Sequence, residues 1–129
     1  MAEMKDNPFT FCWTDLLTGD VGKAREFYTE VFGWRTETMR LPGGNGEYVM
    51  FKKGDLDVAG LVKFPREGIP AMWLPYLAVE DVDQTVNAAE RAGAEIVERP
   101  QDVPSASGGK GRFAVLRDPT GAIIALWKK

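Results

Sequence analysis

Three residues in predicted strands have side chains that could move protons: Asp15, Tyr48 and Tyr76. The sequence has no histidine, so it lacks the commonest general base near neutral pH and the commonest ligand for zinc, iron and nickel. A Ser-His or Cys-His nucleophilic site is therefore excluded. What remains is acid–base chemistry by a carboxylate and phenols, which requires a titratable group poised near neutral pH inside a cavity.

Asp15, Arg112 and Cys12 each have a functional and a structural interpretation. Asp15 is a hydrogen-bond acceptor or general base in a cavity, or a strand-end residue near solvent. Arg112 holds an anionic group or forms a surface salt bridge. Cys12, the single cysteine, is a catalytic nucleophile or an inert thiol in an apolar run. A single cysteine excludes an intrachain disulfide and is typical of a reducing cytoplasm.

Two amphipathic helices must position these side chains. The first is predicted to begin after an Asp20 N-cap and to end at Gly33. The second is predicted to begin after Asp81, with Gln84 completing a capping box, and to end at Gly93. The apolar residues of the two predicted helix faces are Val21, Ala24, Phe27, Tyr28, Val31 and Phe32 in the first helix, and Val82, Val86, Ala89 and Ala92 in the second.

The strand pattern repeats with a period near 60 residues. Each half of the chain reads as strand, helix and three strands, so we predict an α+β fold in which two βαβββ modules form a curved mixed-sheet cup. Module one is placed at residues 8–64, a linker at 65–70 and module two at 71–129, all within one domain. Unpaired strand edges predict a homodimer.

The chain is predicted to close on a hairpin. Residues 112–116 and 122–127 are two apolar runs joined by Asp118-Pro119-Thr120-Gly121, a cluster typical of a tight turn. Residues 101–111, rich in Gly, Ser and Pro, are predicted to form a loop that acts as a mobile lid. A flexible turn is likewise predicted at residues 42–46.

Charge and hydropathy exclude two classes of partner. The formal net charge is −3 and no basic run exceeds two residues, so nucleic-acid binding is not expected. No apolar stretch approaches the roughly 20 residues that a membrane-spanning helix needs. Residues 1–7 are polar and lack the apolar segment of a signal peptide, which agrees with the predicted cytoplasmic location.

Several segments together resemble the vicinal oxygen chelate superfamily, which includes glyoxalases, bleomycin resistance proteins and extradiol dioxygenases. The resemblance runs from about Phe9 to Trp127 and rests on the order and spacing of short motifs. These are Asp20 with Ala24 and Phe27-Tyr28, then Val31-Phe32-Gly33-Trp34, Tyr76-Leu77-Ala78-Val79-Glu80-Asp81-Val82-Asp83, Gly111-Arg112-Phe113-Ala114-Val115-Leu116, and Asp118-Pro119 with Gly121-Ala122.

The resemblance implies a divalent metal held by four His or Glu side chains on strands that face the cup. Aligning the motifs places those positions at Trp13, Gly60, Leu74 and Ala125. None of these side chains offers a metal ligand, so we expect no metal and no other cofactor.

An apolar cup remains, and it predicts binding of a small aromatic or hydrophobic molecule. Alternatives are a metal-free isomerase or lyase with Asp15 and Tyr76 as candidate catalytic residues, helped by Tyr48, and a metal-dependent glyoxalase or dioxygenase whose ligands are displaced. The predicted ligand-binding residues are Phe11, Trp13, Asp15, Tyr48, Gly60, Met72, Leu74, Tyr76, Arg112, Ala125 and Trp127.

Overall fold

The computed structural model describes residues 7–40, 47–63, 70–104 and 109–129. These residues contain two helices and eight strands, which confirms the predicted α+β class. The chain divides into two compact units: Thr14–Trp73, and residues 7–13 together with Leu74–Lys129. The predicted turn at 42–46, the predicted linker up to residue 69 and residues 105–108 of the predicted lid lie outside the described residues.

The first unit is a four-stranded mixed sheet with one helix. It contains residues 14–18 of β1 (Phe11–Thr18), α1 (Val21–Phe32), β2 (Arg35–Arg40), β3 (Glu47–Lys53) and β4 (Leu56–Lys63). The strand order is β2-β3-β4-β1. β1 and β4 are parallel, with Asp15 opposite Gly60, and the other pairs are antiparallel. This is the predicted βαβββ order.

The second unit has the same order of elements. It contains β5 (Met72–Ala78) from Leu74 onwards, α2 (Val82–Arg91), β6 (Glu95–Pro104), β7 (Lys110–Arg117) and β8 (Ile123–Lys128). The strand order is β5-β8-β7-β6, and β5 and β8 are parallel with Tyr76 opposite Ala125. Residues 7–13 belong to this unit because Phe9 N–H donates to the Ala78 carbonyl and Ala78 N–H donates to the Thr10 carbonyl.

Aspartate side chains cap both helices, as predicted. Asp20 Oδ1 accepts a 2.9 Å hydrogen bond from the Lys23 amide, and Asp81 Oδ1 accepts one of 3.0 Å from the Gln84 amide. Gly33 ends α1 in the left-handed region at φ 71°, where glycine avoids the strain of a Cβ. α2 ends at Arg91, and its C-cap is Ala92 rather than the predicted Gly93.

Each helix covers one face of its own sheet. α2 buries Val82 and Val86 in a core with Val79, Ala114, Leu116 and Leu126. In the first unit the core is Leu16, Val49, Phe51, Ala59 and Leu61, and α1 reaches it through partly buried Val21, Ala24 and Tyr28. No residue of α1 is buried, and Phe27, Val31 and Phe32 of its predicted apolar face are more than half exposed.

The predicted loop at residues 101–111 is wrong at both ends. β6 continues through Pro104 and β7 starts at Lys110, with Gln101 opposite Phe113 and Pro104 opposite Lys110. The proline at position 104 is tolerated because β6 is at the end of the strand order, and the β6 ladder has register shifts before and after Glu98. Within the described part of the chain, no helix is long and apolar enough to cross a membrane.

Candidate functional site

Asp15 and Tyr48 form a buried polar pair on the first unit's sheet. Strand alternation sends Leu16, Val49 and Phe51 to the core under α1, so Asp15 and Tyr48 lie on the opposite face. Asp15 is only 5% exposed, and its Oδ1 accepts a 2.7 Å hydrogen bond from the Tyr48 hydroxyl. The phenol thereby compensates part of the cost of burying a carboxylate. The structure supports the buried interpretation of Asp15 over the solvent-exposed one.

Gly60 makes this pair possible. A Cβ at position 60 would overlap the Tyr48 hydroxyl and Asp15 Oδ1. Gly60 is opposite Asp15 on β1 and opposite Met50 on β3, so Tyr48 crosses over it diagonally from the neighbouring strand. Gly60, a predicted ligand-binding residue, thus leaves room for two polar side chains of its own unit.

The four positions that the family resemblance assigns to metal ligands do not fit a metal. Gly60 has no side chain, and the space where one would start is taken by the phenol and the carboxylate. Leu74 and Ala125 are buried at 2% and 0% exposure and offer only carbon atoms, and the Trp13 indole is no better as a ligand. In the part of the chain that the structure describes, no three His, Cys, Asp or Glu side chains are grouped to hold an ion.

Trp127 in the second unit repeats the pairing of an aromatic ring with a glycine. It lies on the face of the sheet opposite α2, opposite Phe113 on β7, and its six-membered ring occupies the place of a Cβ at Gly111. Trp127 is 5% exposed, and among the described residues no acceptor is in hydrogen-bond range of its Nε1. Sequence reasoning assigned Gly111 to a loop and missed its role beneath Trp127.

Arg112 adopts the salt-bridge alternative. Its Nε and Nη2 donate to the two carboxylate oxygens of Asp83 at 2.7 and 2.9 Å, and its Nη1 donates to Asp102 at 3.0 Å. The hydrogen bonds to Asp83 and Asp102, with Asp83 contributing most, raise the pKa of Arg112. The hydrogen bonds from Arg112 in turn lower the pKa of Asp83. Arg112 therefore ties the first turn of α2 to β6 and β7, and its donors are committed to two carboxylates.

The other predicted ligand-binding residues differ in accessibility. Trp13, Tyr48, Met72 and Tyr76 are partly exposed, whereas Phe11 is 64% exposed. Cys12 is partly buried, and its thiol is 3.6 Å from the Tyr76 carbonyl oxygen. A second buried carboxylate, Asp57, was not predicted as a site; it accepts a 2.6 Å hydrogen bond from the Lys52 ammonium. Asp57 lies on β4, and the register between β3 and β4 places it opposite Lys52.

Comparison with known proteins places the chain in a family. Residues 10–126 match the family model of the Glyoxalase/Bleomycin resistance protein/Dioxygenase superfamily. A Mycobacterium tuberculosis protein named "Putative glyoxylase CFP32" is 40% identical over 98% of this chain and 47% of its own length. The anthracycline biosynthesis protein DnrV of Streptomyces peucetius is 34% identical over 91% of this chain and 46% of its own. The chain thus spans about half the length of these relatives.

A solved structure supports the same fold. A Glyoxalase/Bleomycin resistance protein/Dioxygenase superfamily member from Vibrio splendidus aligns with a TM-score of 0.57 over 93% of this chain and 100% of its own, at 16% identity. At that identity the likeness concerns the fold alone.

Proposed function

This chain belongs to the Glyoxalase/Bleomycin resistance protein/Dioxygenase superfamily, and from that premise we propose that it binds a small aromatic or hydrophobic molecule without a divalent metal. The ligand is held by stacking and apolar contact with the partly exposed side chains on strand faces, and it leaves unchanged. The proposed function resembles that of the bleomycin resistance branch of the superfamily.

The observation that carries the proposal is the occupied space at Gly60. The metal site that the family resemblance implies needs a ligand atom on this strand, but the Tyr48 hydroxyl and Asp15 Oδ1 lie where a side chain would begin. A His or Glu at position 60 would have to displace both groups. The polar atoms at this position form a hydrogen bond with each other, which supports the proposal of an organic ligand over a cation.

Side-chain chemistry and one relative support an aromatic ligand. Trp13 and Tyr76, both of the second unit, combine aromatic surface with partial exposure, the usual properties of small-molecule contacts. DnrV is named for anthracycline biosynthesis, and anthracyclines are flat, fused-ring aromatic molecules. Stacking such rings on a tryptophan or tyrosine contributes about 0.5–1.5 kcal/mol per ring pair beyond area burial.

Native mass spectrometry of freshly purified protein, with a denatured control, tests the proposal first. The expected result is a non-covalent organic mass on the folded chain and no stoichiometric metal. Calorimetric titration with a flat polycyclic aromatic compound should give the same affinity before and after exhaustive chelation, and the compound should be recovered unchanged. A stoichiometric divalent metal, or binding abolished by chelation and restored by metal, would overturn it.

A matched pair of variants tests the predicted contact. Tyr76→Leu removes a partly exposed ring and should weaken binding about tenfold, whereas Leu56→Ala, at a position 60% exposed at the start of β4, should not change the affinity. Equal effects of the two substitutions would contradict a specific contact at Tyr76.

The Asp15–Tyr48 hydrogen bond favours a second candidate, a metal-free isomerase or lyase. In such an enzyme the Asp15 carboxylate would take a proton from the substrate and the Tyr48 phenol, 2.7 Å away, would give one back, which is the chemistry of a general acid–base pair. Asp15→Asn should then abolish turnover of a bound ligand while leaving its dissociation constant within a few-fold. Undiminished turnover in this variant would remove Asp15 from any mechanism.

A further inference from the structure

Two β-bulges bracket Glu98 on β6. The first register shift in the β6–β7 ladder lies between Ile96 and Glu98, and the second lies between Glu98 and Gln101. Plain alternation would put Glu98 on the same face as Ile96, which packs against the core under α2. Because the first bulge inserts an extra residue, Glu98 instead pairs with Val115, whose neighbours along β7 both belong to that core. The Glu98 carboxylate is thus turned to the face opposite α2, and bulges that re-aim a side chain are over-represented beside active sites.

The second bulge brings the Gln101 amide to the same carboxylate. Gln101 follows Glu98 at an odd spacing, which would normally put the two side chains on opposite faces of the sheet. Gln101 instead pairs with Phe113, and its Nε2 donates a 3.5 Å hydrogen bond to Glu98 Oε2. Glu98 is partly exposed and Gln101 is exposed, so a ligand can reach both side chains. A carboxylate has about four acceptor sites, so Glu98 can accept a hydrogen bond from a ligand as well as from the amide.

Three aromatic side chains share this face of the second unit with Glu98. Phe113 is directly opposite Trp127 in the β7–β8 pair. Tyr76 on β5 faces the same way, because its partner on β8 is two residues before Trp127. Phe113 and Tyr76 are partly exposed. Phe113 is also the diagonal neighbour of Glu98 across the β6–β7 pair, a separation of about 7–8 Å that aromatic and long side chains can bridge.

We propose that Glu98 and Gln101 form a subsite for the protonated amine of an arylalkylamine whose ring packs against Phe113. The inference rests on the proposed function and names the class of ligand that the second unit takes. A carboxylate and an ammonium form a charge-assisted hydrogen bond, and the faces of nearby aromatic rings also attract a cation. Arg117, in the next row of this face, does not reverse the sign, because its Nε is 3.7 Å from Glu95 Oε2 and the two charges balance. An anionic ligand would meet the Glu98 carboxylate and be repelled.

Compounds that share one ring system separate charge from ring stacking: 1-naphthylmethylamine, 1-naphthalenemethanol and 1-naphthoate. In calorimetric titrations of the intact chain at neutral pH, the amine should bind roughly tenfold more tightly than the alcohol, and the carboxylate should bind most weakly. Glu98→Gln keeps the shape of the side chain and removes its charge, so it should weaken amine binding about tenfold and leave alcohol binding unchanged. Glu80→Gln is the matched control: it removes an exposed carboxylate of the same unit between β5 and α2 and should change neither affinity. Added salt should weaken binding of the amine and leave that of the alcohol unchanged.

Either of two results would overturn the inference while the proposed function stands: an alcohol that binds as tightly as the amine, or an amine affinity that is unchanged in Glu98→Gln. A wild-type chain that binds none of the three compounds contradicts the proposed function itself, and the inference falls with it. Alcohol binding that is retained in Glu98→Gln shows that this variant is folded. Loss of both the amine and the alcohol in Glu98→Gln would mean that Glu98 supports the fold rather than the ligand, which also overturns the inference.

Discussion

The Tyr48 hydroxyl donates a 2.7 Å hydrogen bond to Asp15 Oδ1, and the two groups meet over the bare backbone of Gly60. Three strands contribute to this contact: β1 supplies the carboxylate, β3 the phenol and β4 the glycine. A superfamily position that the resemblance assigns to a metal ligand is thus taken by a buried hydrogen bond. The contact can be tested without knowing the ligand.

Gly60→Ala should destabilise the first unit. The added methyl group overlaps the Tyr48 hydroxyl and Asp15 Oδ1, and over-packing of this kind costs about 1–3 kcal/mol. Urea denaturation followed by circular dichroism measures the change. Gly19→Ala is the matched control because nothing lies within 4 Å of its Cβ position, and it should change stability by less than about 0.5 kcal/mol. A neutral Gly60→Ala would show that the pair is easily displaced.

Tyr48→Phe and Asp15→Ala should each lower the free energy of unfolding by about 1–3 kcal/mol, because each removes one partner of a hydrogen bond at a buried carboxyl group. In a double-mutant cycle the combined variant should lose less than the sum, since both substitutions remove the same interaction. Strict additivity of the two effects would mean that the hydrogen bond contributes nothing to stability.

Gly111→Ala should destabilise the second unit and alter the fluorescence of Trp127. Its methyl group would overlap the six-membered ring of the indole, and the expected cost is again about 1–3 kcal/mol. In a Trp127→Leu background the same substitution should cost clearly less, because the overlapping ring is gone. Gly22→Ala should change the free energy of unfolding in the opposite direction. Gly22 lies in α1 and only Asp20 Oδ1 is near its Cβ position, at 3.9 Å, so the substitution should stabilise the chain by about 0.5–1 kcal/mol.

The Asp83–Arg112 pair should contribute to stability only above acid pH. Hydrogen bonding from Arg112 lowers the pKa of Asp83 below its ordinary value of 3.8, so the carboxylate binds its proton less readily in the folded chain. The contribution of the pair to the free energy of unfolding is complete when the pH is above the ordinary pKa of Asp83. It is lost as the pH falls through the lower pKa that Asp83 has in the folded chain. Wild type and Asp83→Asn should therefore differ by a constant amount near neutral pH, and the difference should vanish in strong acid.

Salt should reduce the same difference, because both side chains are partly solvent-exposed and the attraction between them is screened. Asp55→Asn is a suitable control, since Asp55 is fully exposed and is 3.9 Å from Arg35. A wild-type to Asp83→Asn difference that grew toward low pH would contradict the assigned direction of the pKa shift.

Local signals in the sequence predicted the elements of this fold well. The Asp20 and Asp81 caps and the Asp118–Gly121 turn depend on short-range chemistry, and each forms the hydrogen bonds that its residue types predict. The repeated βαβββ order follows from periodicity, and the absence of histidine by itself excludes nucleophilic sites that depend on an imidazole base.

Contacts between strands could be decided only by tertiary structure, because register is a long-range property. The register places the Tyr48 hydroxyl above Gly60 and the Trp127 ring over Gly111. It also extends β6 through residues whose composition predicts a loop. The same holds for α1: periodicity predicted an apolar face that included Phe27, Val31 and Phe32, but its sheet covers only the part near Val21, Ala24 and Tyr28. A helical pattern shows which side chains share a face, and the surface available opposite determines how much of that face is buried.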